Sequence, residues 1–158
     1  PFGSMVTPLT GNEMNFYDLL LPENPGTVVM NGKEYTWNTW GEILIPASDA
    51  QVWATYTREF YEGGPAVTFR KLGKGTVTYV GVDSHNGALE KDILKKLYAQ
   101  LQIPVMDLPY GVTLEYRNGL GIVLNYSDRP YTFNVPEVSK VLVGTEEIPT
   151  AGVLVFSM

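Results

Sequence analysis

Two Asn-Gly dipeptides constrain this chain more than any other feature. Asn31-Gly32 separates Thr27-Val28-Val29-Met30 from Lys33-Glu34-Tyr35-Thr36-Trp37, and Asn118-Gly119 separates Val112–Arg117 from Leu120–Tyr126. Asn followed by Gly supplies positive φ at both central positions of a type I′ turn, the connection whose twist matches that of the two strands it joins. A chain with one such turn near each end of its ordered sequence is built largely from antiparallel hairpins. Glu42–Pro46 and Gln51–Thr57 read as two further strands. In the second, Val52, Ala54 and Tyr56 alternate with Trp53 and Thr55.

Gly63 to Gly81 reads as another pair of strands, folded back around Leu72-Gly73-Lys74-Gly75. A phosphate-binding loop would place its lysine between a strand and a helix start, with Ser or Thr next in sequence. Here the lysine lies between two strands and Gly75 follows it, so Gly73 and Gly75 are read as turn residues. One helix is expected, over about residues 87–102. Leu89, Ile93, Leu97 and Leu101 recur at helical spacing, Leu94 and Tyr98 widen the stripe, and Lys91, Lys95 and Lys96 are expected to face away. Ser84 or Asn86 serves as its N-cap. The first 25 residues, with prolines at 8, 22 and 25, read as loop around the apolar patch Phe16–Leu21, and Gly3-Ser4-Met5 reads as a cloning remnant.

The helix runs into the proline-bracketed connector Ile103–Gly111, beyond which only strands and turns are expected. Two domains follow: residues 1–105, a sheet with one helix, and residues 106–158, a small all-β antiparallel sandwich. The fold class is therefore α+β or α/β, followed by all-β.

Composition narrows the functions. Among 158 residues, 11 basic and 17 acidic side chains leave a net charge of −6, with no basic cluster to attract nucleic acid. The absence of cysteine removes disulfides, thiolate metal sites and cysteine nucleophiles. No apolar run reaches the ~18 residues that span a bilayer, and no signal peptide is visible. The expectation is a soluble chain of bacterial type, in the cytoplasm or the periplasm, without cofactor, metal, nucleic-acid or membrane partner.

Candidates for chemistry are few. His85, the only histidine, stands between a strand and the helix, without a Gly-x-Ser-x-Gly elbow or a second metal ligand. Asn12-Glu13 has the dipeptide of many barrel glycosidases, but it lacks the apolar barrel strand before it and the second carboxylate roughly 5–5.5 Å away that retention requires. Glu146 and Glu147 are adjacent and read as solvated turn charges. The aromatics remain. Trp37, Trp40, Trp53 and Tyr56 are candidates either for a subunit interface or for sugar stacking, beside the bland reading of core packing.

The order Trp40-Gly41-Glu42, Ala54-Thr55-Tyr56, Gly64-Pro65-Ala66-Val67, Gly73-Lys74-Gly75 and Tyr79-Val80-Gly81 resembles the later half of the middle domain of family 42 β-galactosidases. That domain is similar to class I glutamine amidotransferases but lacks their cysteine. Gly111-Val112, Arg117 and Leu124-Asn125 resemble the small C-terminal β domain of the same enzymes. The resemblance covers residues 26–158. It implies the non-catalytic C-terminal region of a galactoside-hydrolysing enzyme, partnered by a catalytic (β/α)8 barrel in the same polypeptide and assembled as a trimer. A barrel needs ~250 residues, so no catalytic residue is carried over. The alternative is a stand-alone carbohydrate-binding module that stacks galactosides on exposed tryptophans.

Overall fold

The computed structural model describes residues 5–158, so Gly3 and Ser4, read above with Met5 as a cloning remnant, lie outside the described residues. The chain forms two compact units, Pro1–Pro104 and Val105–Met158.

The first unit is an antiparallel sheet with one long helix. Strands β1 (Asn12–Asp18), β2 (Gly26–Met30), β3 (Lys33–Pro46), β4 (Gln51–Tyr56), β5 (Pro65–Leu72) and β6 (Gly75–Val80) lie in the order β1-β3-β2-β4-β5-β6. The short β7 (Val82–Ser84) pairs with β3. The Asn-Gly turn forms as expected, with Asn31 at φ 52° and Gly32 at φ 79°. Leu72 pairs with Gly75 across the Gly73-Lys74 turn. Only Gly73 has positive φ there (58°), so Gly75 is not conformationally required, contrary to the reading of both glycines as turn residues.

Two departures from the sequence reading have physical causes. The amino-terminal segment is not all loop, since Thr7–Thr10 forms a helical turn, α1, and β1 follows it. Strand β1 has only half-buried and exposed positions after Asn12, and its asparagines and acids break the apolar alternation by which strands are read. The two strands expected from Lys33 to Pro46 are one, β3. It carries a bulge at which Trp37 pairs with Ser84 and Gly41 with Val82, and Thr39 within it stands at φ 71°.

The core of this unit includes Val28, Trp37, Tyr56, Val67, Leu89 and Ile93. Trp37 lies flat over Gly26 and Gly41, where an added Cβ would stand 2.6 Å and 2.5 Å from its ring atoms. The long helix, α2 (Ala88–Gln100), presents Leu89 and Ile93 to that core with Leu97 partly buried beside them. Leu94, Tyr98 and Leu101 are exposed, so the buried stripe is narrower than expected. Lys96 does not face away, because its Nζ sits 3.9 Å from the centre of the Trp53 ring.

A 3-10 turn, His85–Gly87, leads into α2. Ser84 ends that approach reciprocally. Its Oγ accepts the Leu89 N–H at 3.0 Å and its own N–H donates to Glu90 Oε1 at 3.1 Å, while its hydroxyl donates to Glu90 Oε2. This is the logic of a capping box displaced by the intervening turn.

The second unit consists of two antiparallel sheets. Strands β8 (Val112–Arg117), β9 (Leu120–Asn125), β11 (Val141–Val143) and β13 (Gly152–Ser157) form a sheet ordered β11-β13-β9-β8, and β10 (Tyr131–Thr132) pairs with β12 (Glu147–Ile148). The second Asn-Gly turn also forms, with Asn118 at φ 50° and Gly119 at φ 75°. Val112, Val123, Phe133, Ile148, Leu154 and Phe156 make a separate core. Beneath it Asn125 is fully buried. Its Nδ2 donates to the carbonyls of Arg129, Ile148 and Pro149, and its Oδ1 accepts from the N–H and hydroxyl of Ser127. One side chain thereby fixes the turn that follows β9. No helix among the described residues is long and apolar enough to cross a membrane.

Candidate functional site

The four candidate aromatics fall into two groups. Trp37 and Tyr56 are each 1% exposed and meet edge to face at 5.7 Å. Trp53, 8% exposed, stacks on Phe69 at 4.5 Å and carries the Lys96 ammonium on its ring. These three pack the interior of the first unit, where burial of their rings stabilises the sheet and leaves no face for a ligand. Trp40 differs. It is 37% exposed and lies against Tyr17, centroids 4.6 Å apart and planes 12° from parallel.

Trp40 and Tyr17 are brought together by the pairing of β1 with β3, in which Tyr17 stands opposite Glu42 and Asp18 opposite Gly41. Glu42 then ties the neighbourhood down. Its Oε1 accepts the Trp40 Nε1–H at 3.1 Å and its Oε2 accepts the Tyr79 hydroxyl at 2.5 Å. The Tyr56 hydroxyl donates to the Glu42 carbonyl at 2.8 Å. Across the same strand, Phe16 stacks on Phe60 at 5.2 Å, and Phe60 is 82% exposed. Tyr61 donates to Asp18 Oδ2 at 2.7 Å, while Asp18 Oδ1 accepts the Leu19 N–H at 2.8 Å.

These phenols are structural donors. Burial, reinforced by the hydrogen bond to Glu42, pushes the Tyr79 hydroxyl up to about 12. Burial also raises Tyr61, with Asp18 adding to the effect, and raises Tyr56 with help from Tyr61, Glu42 and Asp18. A phenol raised in this way holds its proton at neutral pH and serves neither as base nor as nucleophile.

The other candidates are scattered. Glu13 is exposed on β1, opposite Ile45. His85 is exposed at the start of the 3-10 turn. Lys74 is exposed at its hairpin tip. Glu147 lies on β12, whereas Glu146 Oε1 accepts the Val135 N–H at 3.0 Å, so the second of these is tied into its loop rather than merely solvated. Among the described residues no three His, Asp or Glu side chains converge as metal ligands. The second unit carries an open cleft of about 600 Å³ lined by Tyr110, Tyr126, Asp128, Arg129 and Tyr131 with two prolines and a serine. The Asp128–Arg129 pair in it is solvent-exposed.

The arrangement among the described residues is an aromatic surface built on the Tyr17–Trp40 and Phe16–Phe60 pairs. Sequence reasoning singled out Trp40 but not Phe60, nor the partners Phe16 and Tyr17, which lie in the segment read as loop. The apolar patch Phe16–Leu21 was the available signal.

Comparison with known proteins identifies the family. Residues 1–109 match the family model described as the β-galactosidase trimerisation domain, and residues 111–158 match that of the β-galactosidase C-terminal domain. β-Galactosidase BgaA of Clostridium cellulovorans is 34% identical over 120 residues, which cover 73% of this chain and 18% of that protein. β-Galactosidase LacA of Lactobacillus acidophilus is 40% identical over 73 residues, covering 46% of this chain and 11% of that protein. The solved β-galactosidase of the Antarctic haloarchaeon Halorubrum lacusprofundi superposes with a TM-score of 0.82 at 26% identity, over 99% of this chain and 24% of that one. The chain thus spans a quarter or less of the proteins it matches. It belongs to the glycoside hydrolase family 42 β-galactosidases, whose trimerisation and C-terminal domains it comprises.

Proposed function

We propose that this chain is the non-catalytic assembly and support region of an enzyme that hydrolyses terminal β-galactosides. The catalytic barrel would lie elsewhere in the same polypeptide, and the intact protein would be a homotrimer. The observation that carries this reading is the tiling of the chain by two accessory-domain models, over residues 1–109 and 111–158. The relatives have ample further length for a barrel of ~250 residues. Galactosides would be bound by the barrel, and Trp40 is the one candidate aromatic placed to contribute to a subunit contact.

A chromogenic β-galactoside assay tests the proposal. The full-length polypeptide should turn over the substrate and the 158-residue chain should not. Hydrolysis by the chain alone that disappears on Glu13→Gln would overturn it.

A further inference from the structure

Strand β1 ends the main sheet of the first unit and pairs on one side only, with β3, among the described residues. Its carboxyl-terminal half is flanked by the two stacked pairs, Phe16–Phe60 and Tyr17–Trp40, and continues into the exposed Leu19 and Leu21. Isolated exposed apolar residues are ordinary, but a contiguous set of this kind marks a contact surface. Trp and Tyr are also the residue types that dominate binding energy at interfaces.

The backbone supports the same inference. One ring of each stacked pair follows a non-glycine residue in the left-handed region: Thr39, at φ 71°, precedes Trp40, and Glu59, at φ 68°, precedes Phe60. For a β-branched threonine this conformation is a true outlier. Such conformations cost of order 1–3 kcal/mol and cluster where they serve function. Here they set Trp40 against Tyr17 and Phe60 against Phe16, with part of each stacked pair left open to solvent. The surface is also preorganised, because Glu42 anchors Trp40 and Asp18 anchors Tyr61 and Leu19. Little side-chain freedom remains to be lost on docking.

A threefold ring cannot be closed by a self-complementary patch. Each copy must present two unlike surfaces, one to each neighbour. The β1 edge carries Asp18, Glu59 and Glu62, with Arg58 the cation of the same loop. The outer face of α2 carries the opposite combination, with exposed Leu94 and Tyr98 interleaved with Lys91 and Lys95 at helical spacing. We infer that the β1 edge of one copy docks on the outer face of α2 in a second copy. This rests on the assembly role proposed above and names the two halves of its contact.

Cross-linking in a background without other thiols tests this: the 158-residue chain has no cysteine, and any cysteine elsewhere in the full-length polypeptide is replaced by serine. Full-length Phe60→Cys and Leu94→Cys polypeptides, each altered at an exposed site, are expressed separately and together, oxidised, and resolved by non-reducing electrophoresis. Cross-linked species are expected only on co-expression. Cross-linking by Phe60→Cys alone would show a self-complementary patch, and no cross-linking at all would show another interface. Either result overturns the inference. In parallel, Phe60→Asp should weaken self-association at least tenfold by analytical ultracentrifugation, with an unchanged circular dichroism spectrum. A monomeric wild-type protein would sink the assembly reading itself. A trimer that Phe60→Asp leaves intact would sink only this assignment of its surfaces.

Discussion

At the scale of single residues, the fold depends on glycines whose value is the space they leave. Gly41 and Gly26 form the bed of Trp37, and the indole, almost wholly buried, has nowhere to retreat. Gly41→Ala should therefore lower stability by about 1–3 kcal/mol, the usual range for overpacking, as read from urea unfolding. Adding Trp37→Phe should recover part of the loss, because residues in contact do not act additively. Asp92 gives a prediction in pH. Its carboxylate accepts from Lys33 Nζ at 2.6 Å and from the Tyr35 hydroxyl at 2.7 Å, and these two hydrogen bonds, Lys33 first, hold it below the usual carboxylate range. Tyr35 is pushed up to about 12 by burial and then by the same Asp92 bond. A depressed native pKa stabilises the fold above the unfolded value of about 3.9 and is lost as pH falls through the native value. Asp92→Asn should thus be less stable than the parent at neutral pH, and the two unfolding curves should converge in acid. Parallel curves across that range would show that the pair contributes nothing.

At the scale of elements, legibility followed the range of the interaction that decides each feature. The hairpin turns at Asn31-Gly32 and Asn118-Gly119 were legible because positive φ at two adjacent positions is a local demand met by local residue types. Helix α2 was legible from the spacing of Leu89, Ile93 and Leu97. Strand β1 was not, because its identity comes from pairing with β3, whose Pro46 lies 34 residues beyond its partner Asn12. Nor was the fate of the tryptophans. Trp37 is interior because Gly26 and Gly41 make room for it, and Trp40 is at the surface because Thr39 turns the strand between them. The start of α2 was half legible. The N-cap is Gly87 rather than Ser84 or Asn86, but Ser84, from before the 3-10 turn, still accepts the Leu89 N–H, with Glu90 as its reciprocal partner. Ser84→Ala should lower stability by about 1 kcal/mol, as loss of an N-cap does, visible as a lower thermal midpoint by circular dichroism. An unchanged midpoint would mean that the turn alone starts the helix.

At the scale of the molecule, the segment between α2 and β8 has no regular structure and is exposed at most of its positions. We propose it as the boundary of two domains, as the proline-bracketed connector implies. Chymotrypsin should cut between Leu101 and Tyr110 before it cuts within either Asn-Gly hairpin, with the products identified by mass spectrometry. First cleavage inside a hairpin would reject that boundary. A freed 105–158 fragment should unfold over a broad range at low denaturant, because a disulfide-free chain of that length buries little surface of its own.

The placement of the three tryptophans at 37, 40 and 53 also makes the protein its own optical reporter. All of them belong to the first unit and none to the second. Red-edge excitation, which selects indole over phenol, therefore illuminates one half of the molecule and leaves the other dark. Far-ultraviolet dichroism senses both halves through their backbones. Emission and dichroism melts that coincide would mean that the two units unfold as one cooperative body, and melts that separate would mean that they do not. A difference that the sequence placed for packing thus lets the cooperativity of the whole chain be measured without a label.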